Sequence, residues 1–130
     1  MTQEEKDLVL KDLCARLPYG IKVNNEIQGD FKIYGICENF VFGRNEVCHI
    51  DFDIEKIKPY LFPLSSMSDE QKKEIEDILI NLSLKAISDE IGSEVVASYE
   101  IDFYCKNHLD YRGLIEMGIA IDATGLGIYE

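Results

Sequence analysis

One stretch of the sequence combines metal-binding residue types with a regular spacing. Polar and apolar residues alternate in residues 49–55, HIDFDIE, which in a β-strand would place His49, Asp51, Asp53 and Glu55 on one face. Imidazole and carboxylate groups are ligands for divalent cations. Same-face neighbours lie about 6.6 Å apart along a strand, so only two of the four could share an ion without another element. We therefore predict that this face of the strand is acidic, exposed to solvent and free of metal. The alternative is a weak site for a divalent cation, with these four residues as its candidate ligands.

The other candidates for metal binding or nucleophilic catalysis are His108 and the four cysteines, Cys14, Cys37, Cys48 and Cys105. The spacing of Cys105 and His108 would place them one turn apart on a helix, and zinc takes such ligands. A neighbouring imidazole can also activate a thiol. However, the sequence has no paired CxxC motif, and Cys48 and His49 would point to opposite faces of a strand. We expect reduced, buried thiols and no cofactor.

Two segments place aromatic and charged residues where a protein partner could bind. Tyr60 and Phe62 lie between two prolines, and Asp110, Tyr111 and Arg112 precede a glycine. Tyrosine and arginine contribute much of the binding energy of interfaces. We predict that these five residues bind a partner, and the alternative is that both segments close the core.

Three helices are predicted from the spacing of apolar residues and from capping motifs. Thr2 with Glu5 and Ser68 with Gln71 form capping-box patterns, so an N-terminal helix and a long central helix are expected. A shorter C-terminal helix is expected from Ser98. The central helix carries two apolar stripes, which we expect to contact both a sheet and another helix, and it should end at Gly92. Their residues are Ile75, Ile78, Leu79, Leu82 and Ala86, and Ile80, Leu84, Ile87 and Ile91.

Strands are predicted between the first two helices. Ile21, Val23 and Ile27 alternate with polar residues, and the segments 31–37, 39–42 and 47–54 are rich in β-branched and aromatic residues. Residues 60–62 are expected to form an extended connector. The resulting prediction is one α+β domain over residues 1–130, in which an antiparallel meander of three or four strands packs against the three helices.

Composition restricts the class of protein. The 130 residues include 25 Asp and Glu against 13 Lys and Arg, a net charge of −12, and 46% are hydrophobic. The negative charge disfavours direct binding to nucleic acid, because Lys and Arg do not cluster along the chain. The sequence has no apolar stretch of membrane-spanning length and an acidic beginning that does not resemble a signal peptide. We therefore expect a cytoplasmic protein that contacts no membrane.

Three runs of the sequence carry a resemblance. Residues 58–67, KPYLFPLSSM, residues 110–116, DYRGLIE, and residues 11–20, KDLCARLPYG, resemble a family of small uncharacterised proteins from gut Bacteroides-type bacteria and their phages or mobile elements. The resemblance implies a cytoplasmic accessory protein of a phage or mobile element that binds rather than catalyses. It transfers no functional residue.

Three classes of function follow from these observations. The leading expectation is a small non-enzymatic interaction protein with a protein partner, which could include a second copy of itself. The first alternative is a metal-dependent or cysteine/histidine-based enzyme. The second is an acidic mimic of DNA that inhibits a nucleic-acid-binding protein. Mimicry would require Asp51, Asp53, Glu70, Glu74, Asp77 and their neighbours to form one continuous stripe at phosphate-like spacing, and not to be scattered among lysines.

Overall fold

The computed structural model describes residues 1–88 and 92–130, and it confirms the predicted α+β class. The helices are α1 (Gln3–Arg16), α2 (Asp69–Ile87) and α3 (Ser93–Lys106). The strands are β1 (Lys22–Asn25), β2 (Gly29–Cys37), β3 (Phe40–Arg44), β4 (His49–Asp53), β5 (Lys58–Pro63), β6 (Leu109–Asp110) and β7 (Ile121–Asp122). Three-residue 3₁₀ turns at Leu17–Tyr19, Ile54–Lys56 and Leu64–Ser66 follow α1, β4 and β5.

The strands form one mixed sheet with the order β4-β3-β2-β1-β5-β6. The first four strands are an antiparallel meander, as predicted. The expectation of a connector at residues 60–62 is wrong, because β5 lies between β1 and β6 in the sheet and also pairs with β7. The two prolines obscure this strand in the sequence, since proline is unusual inside a sheet.

The main hydrophobic core lies between α1 and one face of the sheet. Val9 and Leu13 of α1 are fully buried against residues from five strands and from the segment after β6. Those buried partners include Val23, Phe31, Ile33, Val41, Phe52, Leu61, Leu114 and Ile119. Alternation along β1 to β4 therefore buries one face and leaves Lys32, Tyr34 and Arg44 exposed on the other.

A second, smaller core joins α2 and α3 to the end of the sheet. Ile75, Phe103 and Leu109 are buried there, and Phe62, Met67, Ile78, Leu79 and Tyr104 pack around them. The first predicted stripe of α2 therefore contacts α3 and the sheet. The expected burial of the second stripe is wrong, because Ile80, Leu84 and Ile87 are 59%, 61% and 80% exposed. Ile91 lies outside the described residues.

Several predicted boundaries also differ from the structure. Helix α3 begins at Ser93, with Gly92 as its N-cap, rather than at Ser98. Helix α2 ends at Ile87, before Gly92. Ile27 lies in the β1–β2 turn and not in a strand, since the Asn25 side chain accepts hydrogen bonds from the Ile27 and Gln28 amides. Within the described part of the chain, no helix is both long and apolar enough to cross a membrane.

The C-terminal tail folds back onto the sheet. The Tyr129 hydroxyl accepts a hydrogen bond from the Lys22 amide at 3.0 Å and donates one to the Tyr60 carbonyl oxygen at 2.8 Å. The Lys22 ammonium donates to the Ile128 carbonyl oxygen at 2.7 Å. Gly125 and Gly127, which as a pair would suggest a flexible tail, instead have positive φ angles that shape this return.

Candidate functional site

A buried ion pair on α1 is the base of the candidate site. Asp12 and Arg16 lie one helical turn apart, and both side chains are completely buried. Arg16 Nε donates to Asp12 Oδ2 at 2.7 Å, and Arg16 Nη2 donates to the Leu109 carbonyl oxygen at 2.6 Å. The pair therefore connects α1 to β6, at the place where the chain leaves α3.

Arg112 reaches the same carboxylate from the segment after β6. Its Nε donates to Asp12 Oδ1 at 3.1 Å, and its Nη2 donates to the Tyr111 hydroxyl at 2.8 Å. Both guanidinium groups lie near the Tyr111 ring, with centroid distances of 5.3 Å for Arg16 and 4.8 Å for Arg112. Tyr104 stacks against Tyr111, with ring centroids 5.5 Å apart. We call Asp12, Arg16, Tyr111 and Arg112 the Asp12 cluster.

The Asp12 cluster carries a surplus of positive charge. One carboxylate faces two guanidinium groups, so the formal charges do not cancel. Burial lowers the pKa of His108 from 6.5 to about 4, and the positive charges of Arg16 and Lys22 contribute to this shift. Among the described residues, Arg16 Nη1 and His108 Nδ1 are the buried side-chain nitrogens without a hydrogen-bond partner.

Asp110 shapes the loop that carries Arg112. Its carboxylate accepts hydrogen bonds from the amides of Leu114 and Ile115, each at 2.9 Å. Gly113 has a φ of 77°, a conformation that suits glycine because it lacks a Cβ atom. This short turn buries Leu114 completely and directs Arg112 back toward Asp12.

A groove runs beside this loop, and we call it the Arg112 groove. One wall is formed by Pro63, Leu64 and Ser65, which follow the buried part of β5. The other wall is formed by residues 110–113, Ile115 and Glu116, and the volume is about 620 Å³. Leu64 and Glu116 are exposed, whereas Arg112 and Ile115 are half-buried. The groove therefore presents apolar surface, the Arg112 cation and the carboxylates of Asp110 and Glu116.

The structure brings three of the five predicted partner-binding residues into this groove: Asp110, Tyr111 and Arg112. Tyr60 is 7% exposed, and its hydroxyl donates to Asp30 Oδ1 at 2.6 Å. Burial and this hydrogen bond raise the pKa of Tyr60 to about 12. Phe62 is half-buried beside Tyr129, with ring centroids 6.0 Å apart. These two residues pack within the fold and do not line the Arg112 groove.

The candidate metal ligands of β4 have separate environments. His49 meets the Tyr34 ring edge-on at 5.8 Å, and Asp51 is exposed on the strand. Asp53 caps the following 3₁₀ turn by accepting from the Glu55 amide at 3.0 Å, and Glu55 forms an ion pair with Lys6. In residues 1–88 and 92–130, no three His, Cys, Asp or Glu side chains are grouped as metal ligands would be.

The expectation of buried cysteines is wrong for three of the four. All four thiols are free, but only Cys105 is buried, while Cys14, Cys37 and Cys48 are exposed. Cys14 is exposed because the buried face of α1 contains Asp12 and Arg16 instead. The helical spacing expected for Cys105 and His108 also fails, since α3 ends at Lys106 and His108 adopts a φ of 57°.

The fold groups charged side chains differently from their order in the sequence. Basic residues that are separated along the chain come together in the sheet as direct cross-strand neighbours across β1 to β4, namely Lys22, Lys32, Arg44 and His49. Asp51 and Asp53 lie on β4, whereas Glu70, Glu74 and Asp77 lie on α2, beside β5 and β6. Four strand spacings, roughly 19 Å, separate β4 from β5, so these two acidic groups lie on separate parts of the described surface.

Asp12 and Arg16 were not predicted as site residues. Their i,i+4 spacing is typical of an ion pair on a helix and is visible in the sequence. Such pairs are usually exposed, however, and nothing local indicates that Arg112, one hundred residues away, shares the carboxylate.

Comparisons with protein-family models, curated proteins and solved structures found no match to this chain.

Proposed function

We propose that this protein is a non-enzymatic interaction protein that binds an extended segment of a protein partner in the Arg112 groove. The observation that carries this proposal is that Arg112, in the wall of the groove, is already held in place by other residues. Arg112 is held by Asp12 and by the Tyr111 hydroxyl at the same time. A side chain that is ordered before binding loses little conformational entropy when the partner arrives.

The chemistry of the groove favours a segment with two features. Arg112 can pair with a carboxylate of the partner, and of the two acidic residues that also line the groove, Asp110 is already engaged by the Leu114 and Ile115 amides. Arginine with tyrosine is also a frequent combination at the centre of interfaces. Pro63, Leu64 and Ile115 offer apolar contacts for a neighbouring side chain. The volume of about 620 Å³ is in the range of roughly 300–1,000 Å³ of ligand sites. We therefore expect a short peptide with an acidic residue next to an apolar one.

Binding is favoured over cysteine catalysis by the pKa directions of the buried thiol and imidazole. Burial raises the pKa of Cys105, with the Arg16 charge opposing it, and the pKa of His108 is lowered. A thiolate–imidazolium pair requires the opposite directions. The accessory role in a phage or mobile element that the resemblance implies stays a prediction.

The proposal can be tested with random linear peptides displayed on yeast. Peptides that bind the wild-type protein should be enriched in a carboxylate beside an apolar residue, and calorimetry should give micromolar dissociation constants. Leu64→Glu places a negative charge in the groove, which repels the carboxylate of the peptide. It should weaken the binding of the enriched peptides at least tenfold. Ile27→Glu is the matched control, because Ile27 is 92% exposed in the β1–β2 turn and lies outside the groove.

Arg112→Gln tests the charge. We expect it to abolish the preference for a carboxylate while the protein remains folded, as monitored by its thermal unfolding, because Asp12 keeps Arg16 as a partner. The proposal is wrong if no peptide is enriched. It is also wrong if the enriched peptides bind wild type, Leu64→Glu and Ile27→Glu equally.

A further inference from the structure

Strand β4 is an open edge of the sheet, since it pairs with β3 and no other described strand lies beyond it. In an antiparallel ladder, only every second residue exchanges backbone hydrogen bonds with the neighbouring strand. The Ile54 amide donates to the Asn39 carbonyl oxygen at 2.8 Å, so Ile50 and Phe52 face β3 in the same way. The backbone N–H and C=O groups of Asp51 therefore point away from the sheet, where another strand can pair with them.

The two faces of β4 differ in what they would offer to an added strand. His49, Asp51 and Asp53 lie on the solvent face of the sheet. On the other face, Phe52 is buried and Ile50 is half-buried at the rim of the main core. Side chains that lie directly opposite each other on neighbouring strands share a face. An added strand would therefore place apolar side chains beside Ile50 and Phe52 and extend the core at its rim.

The charges at this edge favour basic residues on the solvent face of the added strand. Asp51 and Asp53 form no ion pair within the described chain, whereas Lys6 already pairs with Glu55. Opposite charges on directly opposed residues of two strands attract each other, and like charges repel. With histidine counted as neutral, carboxylates at and beside β4 outnumber cations by four to two. They are Glu46, Asp51, Asp53 and Glu55 against Lys6 and Arg44.

We propose that the edge of β4 binds an extended basic segment of a partner protein as an added antiparallel strand. Lysine or arginine residues of the segment lie opposite Asp51 and Asp53, and the residues between them are apolar. In such strand addition, main-chain hydrogen bonds supply affinity and alternate side chains supply specificity. The antiparallel direction continues the meander and gives the slightly more stable ladder. A second copy is disfavoured, because it would bring another acidic edge to a chain whose net charge is −12.

Calorimetry with peptides of alternating sequence tests the proposal on the full chain. A blocked octapeptide of alternating lysine and valine should bind with a micromolar dissociation constant, and the matching peptide of glutamate and valine should not bind detectably. Asp51→Lys should weaken the lysine peptide at least tenfold. Asp77→Lys is the matched control, because Asp77 is exposed on α2 and the change in net charge is the same. It should weaken binding less than twofold. Circular dichroism establishes that both variants are folded.

Methylation of the peptide amides separates strand addition from simple charge attraction, because it removes an N–H donor and keeps the charge. In the proposed arrangement, the lysine amides of the peptide face β4, since the residues opposite Asp51 and Asp53 exchange backbone hydrogen bonds with them. Methylating the amide nitrogens of the two central lysines should therefore weaken binding at least tenfold. Methylating those of the two central valines, which face away from β4, should have little effect.

Amide hydrogen exchange measured by NMR locates the bound peptide. The lysine peptide should slow exchange of the Asp51 amide at least tenfold and leave the Leu64 and Ser65 amides of the Arg112 groove unchanged. No binding, equal binding of the lysine and glutamate peptides, equal losses from the two methylation patterns, or no protection of the Asp51 amide would each overturn the proposal. Protection of that amide in a dimer formed without peptide would also overturn it, because a second copy would then occupy the edge.

Discussion

The ring of Tyr129 lies face to face on the imidazole of His108, with centroids 3.6 Å apart and planes 9° from parallel. His108 follows α3 and Tyr129 is the penultimate residue, so this stack joins the C-terminal segment to the end of α3. Lys22 and Arg16 both contribute positive potential at the imidazole. Burial of the imidazole, together with these two charges, therefore lowers the pKa of His108 and favours a neutral histidine.

The first prediction concerns the dependence of stability on pH. The pKa of His108 is about 4 in the folded chain against an ordinary 6.5, so between these values the unfolded chain binds a proton that the folded chain does not. Stability should therefore fall as the pH is lowered through this window, by about 1–2 kcal/mol from this residue between pH 7 and 5. Urea unfolding at the two pH values measures the loss.

His108→Asn is the control for this effect, because asparagine tolerates the positive φ angle of residue 108 and does not titrate. The variant should lose less stability than wild type between pH 7 and 5. Equal losses in the two proteins would show that other groups account for the pH dependence.

The second prediction concerns the buried carboxylate of the Asp12 cluster. Asp12→Ala leaves two guanidinium groups without their counter-ion, and Arg16 is completely buried. We expect the free energy of unfolding to drop by about 3–5 kcal/mol, measured by urea titration. Lys6→Ala removes the partly exposed pair with Glu55 and should change stability much less. Similar losses in both variants would contradict the importance of burial.

The third prediction is a gradient of stability along α2. Ile75→Ala should cost about 2–4 kcal/mol, because Ile75 is buried in the second core. Leu79 is half-buried, so Leu79→Ala should cost about 1–2 kcal/mol. Leu84→Ala should cost less than about 0.5 kcal/mol, because Leu84 is 61% exposed. Chemical unfolding of the three variants checks the order, and a large loss for Leu84→Ala would contradict its exposure.

The fourth prediction concerns thiol reactivity. Cys14, Cys37 and Cys48 are exposed, and Cys105 is buried with a raised pKa, so its thiolate is scarce and inaccessible. A thiol-specific reagent such as Ellman's reagent should titrate three equivalents in the native protein and the fourth only after denaturation. Rapid reaction of all four thiols in the native state would disprove the burial of Cys105.

Local patterns determined much of the secondary structure. The capping boxes at Thr2 and Ser68 predicted the beginnings of α1 and α2 and are present in the structure, because both use only the first turn of a helix. The alternation of polar and apolar residues predicted the antiparallel meander, since the buried side chains of a strand with one buried face must recur at every second residue. The two stripes of α2 were also visible in the sequence, but which of them is buried was not.

Only the tertiary structure decided the candidate site and the exposed faces. Asp12 forms ion pairs with both Arg16 and Arg112, although Arg112 lies one hundred residues away along the chain. No local preference encodes such a contact. Residues 58–63 form a strand in spite of two prolines, because burial of Leu61 and pairing with β1 outweigh a weak local tendency. The physical reason is common to these cases: local geometry sets the spacing of side chains, whereas packing among distant segments decides which of them leave water.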